Sequence, residues 1–187
     1  MVRILAFAFI GVDLAATADA ASLEGLRHVR SSSAAIRALV GRGYEQSAAF
    51  RSLVDAIEAS ATVVYIEPAV KLGAGREGAL LHAVMGSPEL PILRVLIKTN
   101  LGDANTVGVV AHELQHVVEV VTGDGLQNAR AMTATFARLD RLHSVGGAAF
   151  ETEAARKVQQ RVVDELRANR KALKTGDMRK VTARCGG

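Results

Sequence analysis

The run from Val107 to Val120, VGVVAHELQHVVEV, constrains this chain more than any other stretch, because it sets His112, Glu113 and His116 inside an aliphatic frame. Val109, Val110, Ala111, Leu114, Val117 and Val118 surround them, so the segment belongs in a core. Two imidazoles and a carboxylate are costly to bury unless something pairs with them. Asp103 or Asn105 can cap a helix here and Gly123 can end it. On that helix His112 and His116 are four apart and share one face, about one turn from each other. Two imidazoles so placed can hold one zinc ion at roughly 2.0–2.1 Å each. Glu113 stands about 100° round the helix from His112. It is then beside the metal but off the ligand axis, where it can act as a general base on water that the metal has made acidic.

The flanking sequence predicts the frame that holds this helix. Ile36, Leu39, Val40, Phe50, Leu53, Val54 and Ile57 recur at spacings of three and four, which predicts one or two helices, broken at Gly41 to Gly43. Ser31 to Ser33 offer N-caps for the first of them. ATVVYIEP, Ala61 to Pro68, is β-branched and ends at proline, as strands do. KLGAGREG lacks the spacing and lysine of a phosphate-binding loop and reads as a connector. ALLHAVMG and PILRVLIKT are two further strands; in the second, Leu93, Val95 and Ile97 point one way and Arg94, Leu96 and Lys98 the other. After the metal helix come NARAMTATFARLDRLH, a break at SVGG, and a long helix with Val158, Val162, Leu166 and Leu173 on one stripe. The expected class is α+β: a small, mostly antiparallel sheet of about three strands packed on helices, with the metal-binding helix followed by two more.

A catalytic zinc needs a third protein ligand. FETEAARKV supplies two candidates, Glu151 and Glu153, at the predicted start of the last helix. Here the sequence resembles the gluzincin, thermolysin-like zinc metallopeptidases, which carry His-Glu-x-x-His on one helix and a glutamate ligand on a later one, commonly as Glu-x-x-small-Asp. ETEAA aligns with Glu151 first, Ala154 in the small position and Ala155 last. The resemblance implies Glu151 as third ligand, Glu113 as base and zinc as cofactor. Ala155 departs from the pattern, since the Asp found there supports a ligand histidine from behind, and Glu153 stays open as the ligand. Helical phase separates the two: they point about 200° apart, and Glu153 has Lys157 four positions on, the spacing of an exposed ion pair. The resemblance also implies an edge strand alongside the cleft, a part given to PILRVLIKT, where an extended peptide can pair. His143, Tyr65, His82 and Arg94 are the candidates for steadying a developing oxyanion. Glu119 reads as a surface group or a support for the site. The metzincin alternative needs a third histidine soon after His116, and none precedes His143.

With 187 residues and 49% hydrophobic side chains, the chain has room for one packed domain. Residues 1–20 read as a signal peptide: Arg3, an apolar run from Ile4 to Val12, then Ala-x-Ala sites at Ala16 to Ala18 and Ala18 to Ala20. Residues 21–187 are then a single zincin-like domain, exported to the periplasm or outside the cell. The apolar run falls well short of the roughly 20 residues a membrane span needs. Ten Lys/Arg against three acids crowd into Arg156 to Arg184, but no aromatics are interleaved among them, so they read as a solvated face rather than a nucleic-acid surface. The lone Cys185 makes no internal disulfide. Three functions compete: a zinc peptidase acting on peptide or protein substrates, a non-catalytic zinc-binding module, and an exported interaction protein. At this length a peptidase takes unstructured peptide, or a partner completes its cleft.

Overall fold

Ser33 opens the first helix, accepting the Ile36 N–H on its hydroxyl at 3.4 Å. In this computed structural model, residues 25–73, 75–123, 125–139 and 151–184 are described. The signal-like segment 1–20, His143, the SVGG break and Cys185 lie outside them. Strand β1 (Val29–Arg30) precedes helices α1 (Ala34–Gln46) and α2 (Ala48–Glu58). The expected break at Gly41 to Gly43 is not there: those glycines lie inside α1. A Cβ on Gly43 would meet the Phe50 ring and Val107 Cγ1, each at 2.9 Å, so glycine serves close packing rather than a turn. The break comes at Ser47, whose extended backbone ends α1 and whose hydroxyl accepts the Phe50 N–H at 3.0 Å to cap α2. Glu165 secures that corner, accepting from Ser47 Oγ at 2.7 Å and the Ala49 N–H at 3.1 Å.

Four more strands follow: β2 (Val63–Pro68), β3 (Gly78–Leu80), β4 (Met85–Ser87) and β5 (Leu90–Ile97). The fold is α+β, but the sheet has five strands and is mixed, not three and mostly antiparallel. β1, β2 and β5 run parallel, joined first by the α1–α2 crossover. β3 and β4 both run antiparallel along the far side of β5, pairing Leu80 with Val95 and Met85 with Ile92. PILRVLIKT is therefore an interior strand, and the edge beside the segment carrying His112 and His116 is the interrupted strand built by ALLHAVMG. Strand order depends on long-range pairing that alternation along one strand does not encode.

Helix α3 (Asp103–Thr122) carries the histidine motif. Neither Asp103 nor Asn105 caps it; Gly102 takes the cap position with no side-chain bond, while Asp103 pairs with Arg42 and Asn105 donates back to Leu101 O. α3 packs on α1, α2, β3 and β5, and most extensively on α5 (Glu153–Arg184). A short 3₁₀ turn (Gly125–Gln127) leads into α4 (Ala129–Leu139). Phe50, Ile66, Leu93, Val95, Ile97, Val110, Leu114, Val117 and Met132 are among the fully buried side chains between the sheet and the helices. On the last helix Val162 and Leu166 reach this core, but Leu173 is exposed. Among the described residues, no helix is long and apolar enough to cross a membrane.

One carboxylate ties the start of the sheet to the helices. Glu58 accepts the N–H groups of Arg27, His28 and Val29 at 2.8–3.0 Å. Burial pushes its carboxyl up, yet these bonds and nearby His28 outweigh burial and hold it below the ordinary 4.5. Folding thus favours the ionised form, so this contribution is present above the ordinary value and fades as pH falls through the lower folded one. Glu58→Ala is expected to cost about 1–3 kcal/mol at neutral pH. Urea unfolding followed by circular dichroism should show that deficit shrinking as pH falls below the ordinary carboxyl value of 4.5.

Candidate metal centre

The histidines meet because α3 is a regular helix through the motif. His112 Nε2 and His116 Nε2 stand 3.1 Å apart, with side chains 9% and 6% exposed. Glu151 Oε1 approaches His112 Nε2 to 3.6 Å from the segment just ahead of α5. Two ligands about 2.0–2.1 Å from zinc at a tetrahedral angle stand roughly 3.3–3.4 Å apart, and both spacings fall close to that. Among the described residues, no three His, Cys, Asp or Glu side chains meet as a group that could hold a metal ion. The Glu151 side chain is 47% exposed, the least enclosed of the three. The donor set of two imidazoles and a carboxylate suits zinc. His112 Nδ1, on the other side of the ring from these contacts, is buried with no hydrogen-bond partner, although Gln159 stands beside the ring.

Glu151 does not open the last helix, so helical phase does not separate it from Glu153. α5 begins at Glu153, and Thr152 is its cap, accepting the Ala155 N–H at 3.1 Å. Glu151 precedes the cap and is aimed by the turn, not by helical phase. Glu153 lies in solvent, its carboxylate 2.6 Å from Lys157 Nζ. The small buried residue on this turn is Ala155, whereas Ala154 is exposed.

Glu113 is buried beside the pair. Its Oε2 accepts the Leu80 N–H at 2.8 Å, and a Cβ on Gly78 would fall 2.6 Å from its Oε1. The edge strand β3 therefore both holds this carboxylate and leaves it room. Burial pushes the Glu113 carboxyl up, against the pull of His116, His112 and the Leu80 N–H. For His112, burial acts downward, but Glu151 and Glu113 outweigh it and the imidazole is raised. Glu151 is held down, first by its contact with His112. The pattern sets a carboxyl that takes up a proton readily next to one that stays ionised.

These groups line a cleft of about 240 Å³ walled by β3, α3, α4 and α5, with Arg76 and Arg156 also on its lining. His82, from the gap between β3 and β4, lines it too and stacks on Phe136 at 5.7 Å, which in turn meets the His116 ring edge-on at 5.3 Å. Burial, with His116 and Arg76, lowers the His82 imidazole. Tyr65 faces a separate groove with Leu26 and Val40, and Arg94 is paired with Glu67 at 2.7–2.8 Å, so neither is placed in the cleft. Gln159, Phe136 and Arg156 enter the site without any sequence signal marking them. Their spacing from the motif is set by the path of α4 and α5. The chain matches no protein-family model, no curated protein and no solved structure.

Proposed function

We propose that this chain is a zinc-dependent peptidase. The reading is carried by the convergence of His112 Nε2, His116 Nε2 and the Glu151 carboxylate at one wall of a cleft, with buried Glu113 beside them. When bound, zinc supplies a Lewis acid that polarises a carbonyl and makes water acidic near neutral pH. Glu113 accepts the proton of the attacking water and passes it to the leaving amine. Its raised carboxyl suits a group that must both take and give a proton. The Leu80 N–H keeps it in one position meanwhile. β3 lies at the end of the strand order, the position an extended peptide takes when it adds as a further strand, with its Leu80 N–H already given to Glu113. Of the four oxyanion candidates, His82 is the one among the described residues that lines the cleft. The N-terminal pattern supports export.

The test pairs metal analysis with a zymogram. Protein purified without chelators should carry about one zinc per chain and cleave unstructured casein, both lost on dialysis against chelator and restored by zinc. Zinc bound without hydrolysis supports the non-catalytic module instead, and no zinc at all removes both.

A further inference from the structure

The hydrogen bonds behind the two histidines form a chain whose direction can be assigned. His116 Nδ1 lies 3.0 Å from Glu119 Oε2, and Glu119 Oε1 accepts the Thr152 hydroxyl at 2.8 Å and Gln115 Nε2 at 3.3 Å. The Glu119 side chain is 9% exposed and Thr152 is buried. We propose that Glu119 is a positioning residue: it fixes His116 with its Nε2 lone pair toward the cleft and, through Thr152, ties Glu151 to the metal helix. The metal's identity rests on the function proposed above; the hydrogen-bond assignment does not.

An ionised carboxylate only accepts hydrogen bonds, so the proton between Glu119 and His116 belongs to Nδ1. His116 Nε2 is then bare and takes part in the 3.1 Å contact as acceptor, which makes His112 Nε2–H the donor. A neutral His112 protonated at Nε2 has an unprotonated Nδ1, the buried atom without a partner. One ligand is therefore preset for a metal, while the other exchanges its ring proton on binding. The same carboxylate reaches the third ligand. Thr152 donates to Glu119 and accepts from the Ala155 N–H, so the residue next to Glu151 is fixed at both ends. Ala155 has no polar group to support a histidine, and Glu119 does this from within α3, three positions after His116.

The test uses the full ¹⁵N-labelled chain without metal at about pH 8, with imidazole protons located by long-range ¹H–¹⁵N correlation. Wild type should show His116 protonated at Nδ1. Glu119→Leu should lose that preference and bind zinc about 10–100-fold more weakly in a chelator competition. Glu119→Gln, whose oxygen still accepts from Nδ1, should keep the tautomer and bind within a few-fold of wild type. Thr152→Val should keep the tautomer but weaken zinc by freeing Glu151. Wild-type His116 protonated at Nε2 overturns the proposal on that spectrum alone, even where a variant does not fold. So does Glu119→Leu with the wild-type tautomer and zinc affinity. A wild type that shows the Nδ1 proton yet binds no zinc supports the assignment while defeating the peptidase.

Discussion

Glu113→Gln is expected to bind zinc as the wild type does, to melt at or above its temperature, and to lose peptide hydrolysis by about a hundred- to ten-thousand-fold. The amide has the shape of the carboxyl, so it fits the space that Gly78, having no Cβ, leaves beside Oε1. The amide oxygen can still accept the Leu80 N–H, held now at 2.8 Å, so β3 keeps its place against α3. Burial disfavours the ionised carboxylate here, and an amide removes that cost, so stability should hold or rise. What is lost is basicity alone. The comparison is zinc content, melting temperature and the rate on a fluorogenic peptide, measured on one preparation. Activity within tenfold of wild type would falsify the role of Glu113 as base. A wild type that binds zinc and cleaves nothing would leave this variant indistinguishable from it, which is the signature of the non-catalytic module.

The motif helix was legible because its information is local. The aliphatic frame from Val107 to Val120, ended by Gly123, reads as one helix, and i,i+4 geometry then brings the two imidazoles together. Ser33 as a cap and the inward set Leu93, Val95 and Ile97 were readable for the same reason. The order of the strands was not. The resemblance implies an edge at PILRVLIKT, but its half-polar face holds Arg94 against Glu67 of β2, a pairing that needs residues 27 apart in sequence. The true edge is short and interrupted around His82 and Val84, so it gives a weak signal that a continuous strand drowns. Glu119 was ambiguous because a carboxylate one turn past a histidine suits solvent equally well until Thr152 is known to cover it. The start of α5 lies two residues later than Glu151 because Thr152 takes the cap position, a signal hidden in sequence by two flanking glutamates that also favour a first helical turn.

That later start removes helical phase as the ground for Glu151 and leaves a better one, with a second large expected effect. Glu151→Ala should weaken zinc binding by more than the roughly 10–100-fold typical of losing a supporting group, because it removes a direct ligand. Glu153→Ala should bind zinc as wild type does. Glu151 sits ahead of the Thr152 cap with its Oε1 3.6 Å from His112 Nε2. Glu153 is the first residue of α5 and points outward, its side chain 72% exposed and paired with Lys157. Exposed pairs of this kind contribute little to stability, so Glu153→Ala should also melt near the wild-type temperature. Glu151→Ala has a further signature in the metal-free chain. The Glu151 carboxylate helps hold the His112 imidazole up, so its loss should lower the pH at which His112 titrates by NMR. The same change at Glu153 should leave that titration unmoved. Should Glu153→Ala instead release zinc while Glu151→Ala keeps it, the turn before α5 is set differently from the one described, and the third ligand comes from the helix itself.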